Sequence, residues 1–231
     1  AKRGTTFTRA YCQFPLCGPS RASIMSGCYP LTTGITNNNG KVKTITLPQF
    51  FKKAGYWTGR VSKIYHMGVP GNIFTGANSG DHPLSWSERF NVSAMETISP
   101  GKAEDLMGPD STHIYDNECK RWKNYENKGG KFILSEGNHQ GVDFVVVEAD
   151  GGDDVMADGM AATKGIELLQ QRAKSDQPFF LAVGFVRPHV PLVAPRASFA
   201  GYVAADMILP EVPKGDLSDI PAAAKENIND K

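Results

Sequence analysis

The feature that most constrains the fold is a run of apolar residues at 178–185 that directly follows a helical pattern. The run reads Pro-Phe-Phe-Leu-Ala-Val-Gly-Phe, and the stretch from Val155 to Arg172 before it places apolar residues at roughly helical spacing. A strand without polar alternation is typical of a sheet covered on both faces, and helices that alternate with such strands indicate a parallel sheet. We therefore expect an α/β fold in which the 178–185 strand is buried on both faces.

A second helix and strand are predicted nearer the N-terminus. Thr46 can cap a helix over residues 47–54, and Gly55 can end that helix. The residues from Tyr56 to Val61 then have the composition of a strand. The same order of helix and strand therefore occurs twice, which favours the parallel sheet.

The composition is that of a globular protein with one sizeable core. Of the 231 residues 40% are hydrophobic, and the mean hydropathy is −0.32, so we expect one domain. The 25 basic and 24 acidic residues leave a net charge of +1, which argues against a global field for nucleic acid or an anionic membrane. No apolar run reaches about 18 residues, so no membrane span is predicted. Recognition of an anion must therefore be local.

The cysteines form no recognisable framework. Cys12, Cys17, Cys28 and Cys119 are too few and too irregularly spaced for a disulfide scaffold or a zinc site. If Cys17 has a chemical role, the other cysteines fit either one disulfide with one free thiol or three buried thiols.

The most informative stretch for function is 17–27, which reads Cys-Gly-Pro-Ser-Arg-Ala-Ser-Ile-Met-Ser-Gly. Ser20 is predicted to cap a short helix that begins at Ala22. Cys17 would then lie at a helix N-terminus, where free N–H groups and the positive end of the dipole favour an anion. Arg21 adds a cation with a planar set of donors. A capped surface helix with a solvated arginine is the alternative for Ser20 and Arg21.

The Cys-x-Pro-Ser-Arg core and trailing glycine resemble the signature of type I, formylglycine-dependent sulfatases, in particular their iduronate 2-sulfatase-like branch. The resemblance implies an alkaline-phosphatase-like α/β sandwich with a mostly parallel central sheet, incomplete because the chain resembles an N-terminal-half fragment. It also implies that a sulfatase-maturating enzyme oxidises Cys17 to formylglycine. The hydrated aldehyde carries one hydroxyl to attack sulfur and another to expel sulfate later, a route that a thiol lacks. The resemblance assigns Arg21 to holding the formylglycine and metal cluster.

Two segments at predicted strand exits resemble other parts of the family's site. Residues 187–191, Arg-Pro-His-Val-Pro, resemble the segment whose histidine contacts the sulfate and the leaving oxygen, which assigns that role to His189. Residues 62–66, Ser-Lys-Ile-Tyr-His, resemble the pattern Gly-Lys-x-x-His, which implies that Lys63 binds sulfate and that His66 is a second active-site histidine. A serine stands at 62 where glycine is usual, so the turn departs from the pattern.

The resemblance also implies Ca²⁺ as cofactor, with the formylglycine at Cys17 as one ligand. The family's other ligands are carboxylate pairs that are expected to lie outside this chain. The acidic run 150–154 has the spacing of no calcium loop, and we expect it to be a solvated turn before the 155–172 helix.

Residues 67–150 lose all clear periodicity, and we expect them to form a loop-rich insertion over the catalytic face, within a partial catalytic domain that spans 1–231. Ordinary surface or packing roles are the alternative for each polar or aromatic residue in this insertion. The candidate sugar contacts within it are His82, Trp86, Arg89, Trp122 and Lys123.

We therefore expect a sulfuric ester hydrolase that removes sulfate from a sulfated carbohydrate, with His189 or His66 protonating the departing sugar oxygen. One alternative is a phosphonate or phosphate monoester hydrolase of the same superfamily. Another is a catalytically silent carbohydrate-binding homologue in which Cys17 stays a thiol. The resemblance further implies a periplasmic or secreted location, with a sulfated sugar as substrate and no nucleic acid partner.

Overall fold

A computed structural model describes residues 3–69, 72–73, 76–78, 80–94, 101–105, 112–116, 121–122, 145–190, 192–208 and 210–222. The helices are α1 (Cys17–Ser26), α2 (Pro30–Thr33), α3 (Leu47–Lys53), α4 (Ala157–Arg172) and α5 (Arg196–Phe199). The strands are β1 (Trp57–Val61), β2 (Glu88–Phe90), β3 (Gly101–Asp105), β4 (Thr112–Asp116), β5 (Arg121–Trp122), β6 (Val145–Ala149), β7 (Phe179–Val183) and β8 (Leu192–Pro195).

Residues 1–199 and 200–231 form two compact units. All of the helices and strands above belong to the first. The second contains a short 3₁₀ turn at Ala204–Asp206.

A parallel sheet lies at the centre of the first unit. Its strand order is β2-β1-β7, and both pairs are parallel. The register aligns Trp57 with Phe179 at one end and Val61 with Val183 at the other, so β1 and β7 end at the same edge. Helix α3 precedes β1 and helix α4 precedes β7, which confirms the predicted α/β class and parallel sheet.

The helix before β1 begins where its sequence allows capping. The backbone N–H of Thr46 donates to Oε1 of Gln49 at 2.7 Å, and Pro48 lies in the first turn, where its missing N–H costs nothing. Gly55 follows the helix with a φ of 89°, a conformation that glycine adopts without strain. Helix α3 and strand β1 thus confirm the predicted pair within one or two residues.

The second predicted pair is confirmed with two differences. Helix α4 begins at Ala157, after a 3₁₀ turn at Asp153–Val155, rather than at residue 155. Strand β7 is half-buried along its length, so the expectation of burial on both faces is wrong. The physical reason is that, within the described part of the chain, β1 is its one paired neighbour.

A second, five-stranded sheet has the order β5-β4-β3-β6-β8. Its pairs are antiparallel except for β6 and β8, which run parallel. Most of these strands, together with β2 of the first sheet, fall inside the 67–150 stretch. Part of that stretch also packs in the core, since Met67, Ile73 and Val92 are buried against Trp57 and Val61.

Candidate active site

Helix α1 presents Cys17 as its first residue. Leu16 is the N-cap and cannot cap through its side chain, while Ser20 lies inside the first turn, with its N–H donating to the Leu16 carbonyl at 3.0 Å. The prediction that Ser20 caps a helix beginning at Ala22 is therefore wrong, because the helix starts five residues earlier. Cys17 does lie at a helix N-terminus, as predicted, and is partly exposed.

One of the N–H groups at this helix end is already bonded. Asn38 accepts a hydrogen bond from the Gly18 N–H through Oδ1 at 2.8 Å, so a distant side chain supplies the cap that Leu16 cannot. Sequence reasoning missed Asn38, since no local pattern links positions 20 residues apart. The helix dipole still directs its positive end toward Cys17.

An open cavity of about 620 Å³ lies in front of Cys17. Arg21 and Lys63 line it from α1 and from the loop after β1, and Gly184 lines it from the end of β7. Nη1 of Arg21 donates to the carbonyls of Lys63 at 3.1 Å and Ile64 at 2.8 Å. Arg21 therefore joins the helix of the candidate nucleophile to the loop that carries the candidate sulfate-binding lysine.

The loop after β1 begins with an unusual backbone conformation. Ser62 has a φ of +56°, in the left-handed region that glycine adopts at least cost. Its hydroxyl is buried and has no hydrogen-bond partner among the described residues. This geometry explains why the resembling pattern has glycine here, and the serine keeps the same turn at some cost in strain.

Lys63 is 2% exposed, and the loop places its amine beside other cations. The pKa of Lys63 is lowered to about 8, chiefly because the side chain is buried. The nearby charges of Arg21 and Arg187 contribute to this lowering, whereas Cys17 opposes it. The amine is therefore protonated at neutral pH and loses its charge as the pH rises through about 8. An anion in the cavity would favour the charged form.

Gly184 fixes how closely β7 approaches this loop. Its N–H donates to the Val61 carbonyl at 3.0 Å, and a Cβ at position 184 would lie 1.9 Å from the Lys63 carbonyl oxygen. Any side chain there would therefore displace the backbone of Lys63.

His66 lies at the far end of the same loop and is half-buried. Burial is the largest cause that lowers the pKa of His66, and the charges of Lys63, Arg21 and His189 lower it further. Its Nδ1 is buried without a hydrogen-bond partner in the described part of the chain. The Gly80 N–H donates to the His66 carbonyl at 2.8 Å. The loop thus brings an imidazole with a lowered pKa into the group of cations.

His189 follows β7 in a tight turn. Its backbone N–H donates to the Val186 carbonyl at 3.1 Å, and its Nδ1 lies 2.7 Å from the Val190 carbonyl. Because a carbonyl only accepts, Nδ1 carries a proton and donates it. The charge of His189 helps to lower the pKa of His66, so the fold brings these two histidines within electrostatic range although 123 positions separate them.

A buried ion pair contacts the start of the loop after β1. Arg60 on β1 is 3% exposed, and Asp81 is 4% exposed. Nε of Arg60 donates to both carboxylate oxygens of Asp81, at 3.0 and 2.8 Å, and Nη1 donates to the Ser62 carbonyl at 3.2 Å. Sequence reasoning missed this pair, because nothing at position 81 distinguishes a buried partner from a loop aspartate.

The predicted sugar contacts divide into three groups. Trp86 is 4% exposed, packs edge-on against Tyr65 and donates through Nε1 to Asp81 at 3.2 Å, so its prediction as a sugar contact is wrong. Nδ1 of His82 accepts the Leu84 N–H at 3.2 Å, and the role of His82 as a sugar contact stays a prediction. Arg89 is exposed, and its role stays a prediction. The side chain of Trp122, and Lys123, lie outside the described residues.

The described residues alone do not fit a Ca²⁺ site. In the cavity in front of Cys17 they supply a guanidinium and an amine, whereas Ca²⁺ prefers several carboxylate or carbonyl oxygens. No group of three or more potential ligands comes together anywhere in the described ranges. Asp150, from the acidic run, forms an exposed ion pair with Arg196. Any calcium ligands beyond residue 17 would have to come from outside the described residues.

Several known proteins are similar to this chain in sequence or in structure. A sulfatase of Formosa agariphila is 32% identical over 244 aligned positions, which cover 100% of this chain and 41% of that protein. The iduronate 2-sulfatase of Mus musculus is 30% identical over 201 positions, which cover 85% of this chain and 31% of the relative. A phosphonate monoester hydrolase from Silicibacter pomeroyi superposes with a TM-score of 0.49 at 19% identity, over 87% of this chain and 37% of that one.

This chain therefore spans less than half the length of the curated relatives named here. The sequence model of the family described as Sulfatase matches residues 1–206, which include Cys17, Lys63 and His189. The chain belongs to the sulfatase family.

Proposed function

We propose that the protein containing this chain is a sulfuric ester hydrolase that removes sulfate from a sulfated carbohydrate, with residue 17 as formylglycine. The observation that carries this proposal is the position of Cys17 at the start of α1, in an open cavity that Arg21 and Lys63 also line. A helix N-terminus and two cations around one candidate nucleophile suit a tetrahedral anion.

Each residue of the site has a separate role in the proposed hydrolysis. One hydroxyl of the hydrated aldehyde at 17 loses its proton to solvent and attacks sulfur, and the bond between sulfur and the sugar oxygen breaks. His189 or His66 gives a proton to that oxygen. The second hydroxyl then loses its proton to solvent, the bond between the carbon and the sulfate oxygen breaks as the aldehyde re-forms, and sulfate leaves. Water adds to the aldehyde and restores the hydrate. Lys63 binds the sulfate oxygens throughout and offsets the charge that develops on them.

The proposed substrate class is supported by relatives whose names refer to sulfated sugars. They include iduronate 2-sulfatases of Mus musculus and Homo sapiens and an N-acetylgalactosamine-6-O-sulfatase of Bacteroides thetaiotaomicron. The open cavity suits a sugar that enters from solvent. The described helices include none that is long and apolar enough to cross a bilayer.

Three further parts of the proposal rest on the family. A sulfatase-maturating enzyme is the partner that converts Cys17. A metal ion is typical of sulfatases, and we propose Ca²⁺, with ligands from outside this chain besides residue 17. It would supply positive charge at the sulfate. We also propose a periplasmic or secreted location, which cell fractionation tests.

The first experiment examines residue 17 by peptide mass. Trypsin is expected to release residues 10–21, which contain both Cys12 and Cys17. Conversion to formylglycine makes this peptide lighter by about 18 Da and leaves one thiol to alkylate instead of two. Cys12 is the internal control, because it should be fully alkylated. Two alkylated thiols after co-expression with a maturating enzyme would refute the conversion and favour a silent carbohydrate-binding protein.

The second experiment compares substrates in the whole protein after maturation. We expect kcat/KM for an aryl sulfate to exceed that for the matching phosphate and phosphonate esters, and Cys17→Ala to abolish turnover. A preference for the phosphorus esters would overturn the sulfatase assignment in favour of the phosphonate or phosphate hydrolase.

A further inference from the structure

The turn that carries His189 is held by a side chain from another element. Asp158 lies in the first turn of α4. Its Oδ1 accepts the Val186 N–H at 2.6 Å, and its Oδ2 accepts the Arg187 N–H at 3.0 Å. One carboxylate therefore binds two consecutive backbone donors immediately after β7.

These two donors belong to the residues from which the histidine turn is built. The Val186 carbonyl accepts the His189 N–H at 3.1 Å. The Arg187 side chain donates through Nη1 to the His189 carbonyl at 2.5 Å. The backbone of His189 is thus bonded on both sides to residues that Asp158 binds.

The anchor itself is rigid. Asp158 sits where the N-terminal end of the helix dipole favours a negative charge, and hydrogen bonds to a carboxylate are stronger than those between neutral groups. Helix α4 buries Ala161 and Leu168 in the same core as Val61 of β1. A displacement of the turn would therefore break two strong bonds to a packed helix.

We propose that Asp158 is a positioning residue that fixes His189 in the active site. This inference rests on the proposed function, in which His189 contacts the sulfate and His189 or His66 protonates the leaving oxygen. Asparagine at 158 keeps the shape, but only its Oδ1 accepts, and its NH₂ group would face the second backbone N–H. Asp158→Asn therefore removes one of the two hydrogen bonds to the turn with little change in side-chain volume.

The test uses the whole, matured protein with an aryl sulfate. Asp158→Asn should lower kcat by about 10- to 100-fold and change KM by less than about threefold, because the loss concerns alignment at the reacting bond. Glu167→Gln is the matched control: it removes the same charge from an exposed position of the same helix and should keep wild-type kcat. In a His189→Ala background, Asp158→Asn should lower kcat by no more than about twofold further.

A direct readout of the ring separates this inference from the proposed function. In protein labelled with ¹³C-histidine, the His189 Cε1–Hε1 signal is assigned by its loss in His189→Ala. It should move in Asp158→Asn and stay in place in Glu167→Gln. An unmoved signal, full kcat in Asp158→Asn, or multiplicative losses in the double variant would overturn the inference. If wild type hydrolyses no ester, the proposed function fails and the histidine signal alone decides the inference.

Discussion

Gly184→Ala is the substitution whose effect the structure defines most sharply. The new Cβ would lie 1.9 Å from the Lys63 carbonyl oxygen and 2.5 Å from its carbon, where contacts below 3.0 Å are essentially never seen. The obstacle is backbone, so it cannot rotate away. The Lys63 carbonyl has to move by at least about 1 Å, and the same oxygen accepts the Arg21 bond at 3.1 Å.

The magnitude follows from that displacement. Overpacking of this kind costs about 1–3 kcal/mol of stability. A misplacement of about 1 Å in a catalytic group can lower turnover by about 10²-fold. We therefore expect Gly184→Ala to remain folded at 25 °C and to lose about 10²-fold in kcat/KM for an aryl sulfate.

The assay compares thermal unfolding and steady-state kinetics of the whole protein, with Gly4→Ala as control. Within the described residues, a Cβ at Gly4 meets nothing within 4 Å, so that variant should match wild type in both measurements. Wild-type activity in Gly184→Ala would refute the reasoning, since it would mean that β7 and the Lys63 loop do not meet as described. Equal losses in both variants would assign the effect to the exchange of glycine for alanine in general.

Three other expectations concern the loop after β1. Ser62→Gly should leave the free energy of unfolding within about 1 kcal/mol of wild type or raise it. Ser62→Val should lower the free energy of unfolding by at least about 2 kcal/mol, because a β-branched residue resists positive φ. Chemical denaturation measures both. Because the pKa of Lys63 is lowered to about 8, KM for an aryl sulfate should rise as pH passes through that value. Lys63→Arg, which stays charged, should flatten this rise, and an unchanged profile would remove Lys63 from binding. Asp81→Asn should destabilise the protein by about 3–5 kcal/mol, because it leaves Arg60 buried without its counter-charge; a melting temperature like that of wild type would contradict this.

The parts of the fold that sequence predicted are those that local chemistry specifies. Helix α3 has its cap at Thr46 and is followed by Gly55, and the short apolar run before Gly184 predicts a strand. The second sheet was missed because its pairs depend on distant partners. Strand β6 has three consecutive valines at 145–147, yet it pairs in parallel with β8 at 192–195, and no local pattern links the two.

The same distinction between local and distant determinants applies to the residues of the site. Cys17 and Lys63 are predicted at a helix end and a strand end, and the structure brings both to one cavity. His189 follows the end of β7, and its role at the sulfate stays a prediction. Ser20 was assigned as a cap because serine is a good cap, although the helix starts earlier. Trp86 is predicted as a sugar contact because it lies in a stretch without clear periodicity, whereas aromatic packing buries it. Asp158 gives no signal at all, since its partners are backbone N–H groups.

The contact between Arg21 and the β1 loop uses only main-chain acceptors. Carbonyl oxygens are present whatever side chains occupy positions 63 and 64, so this junction does not depend on the identity of those residues. The side chain at position 63, which we propose binds sulfate, can therefore change while the helix and loop stay joined. A library randomised at position 63 should therefore yield mostly folded proteins with altered ligand preference, which makes this position a practical starting point for redesigning specificity.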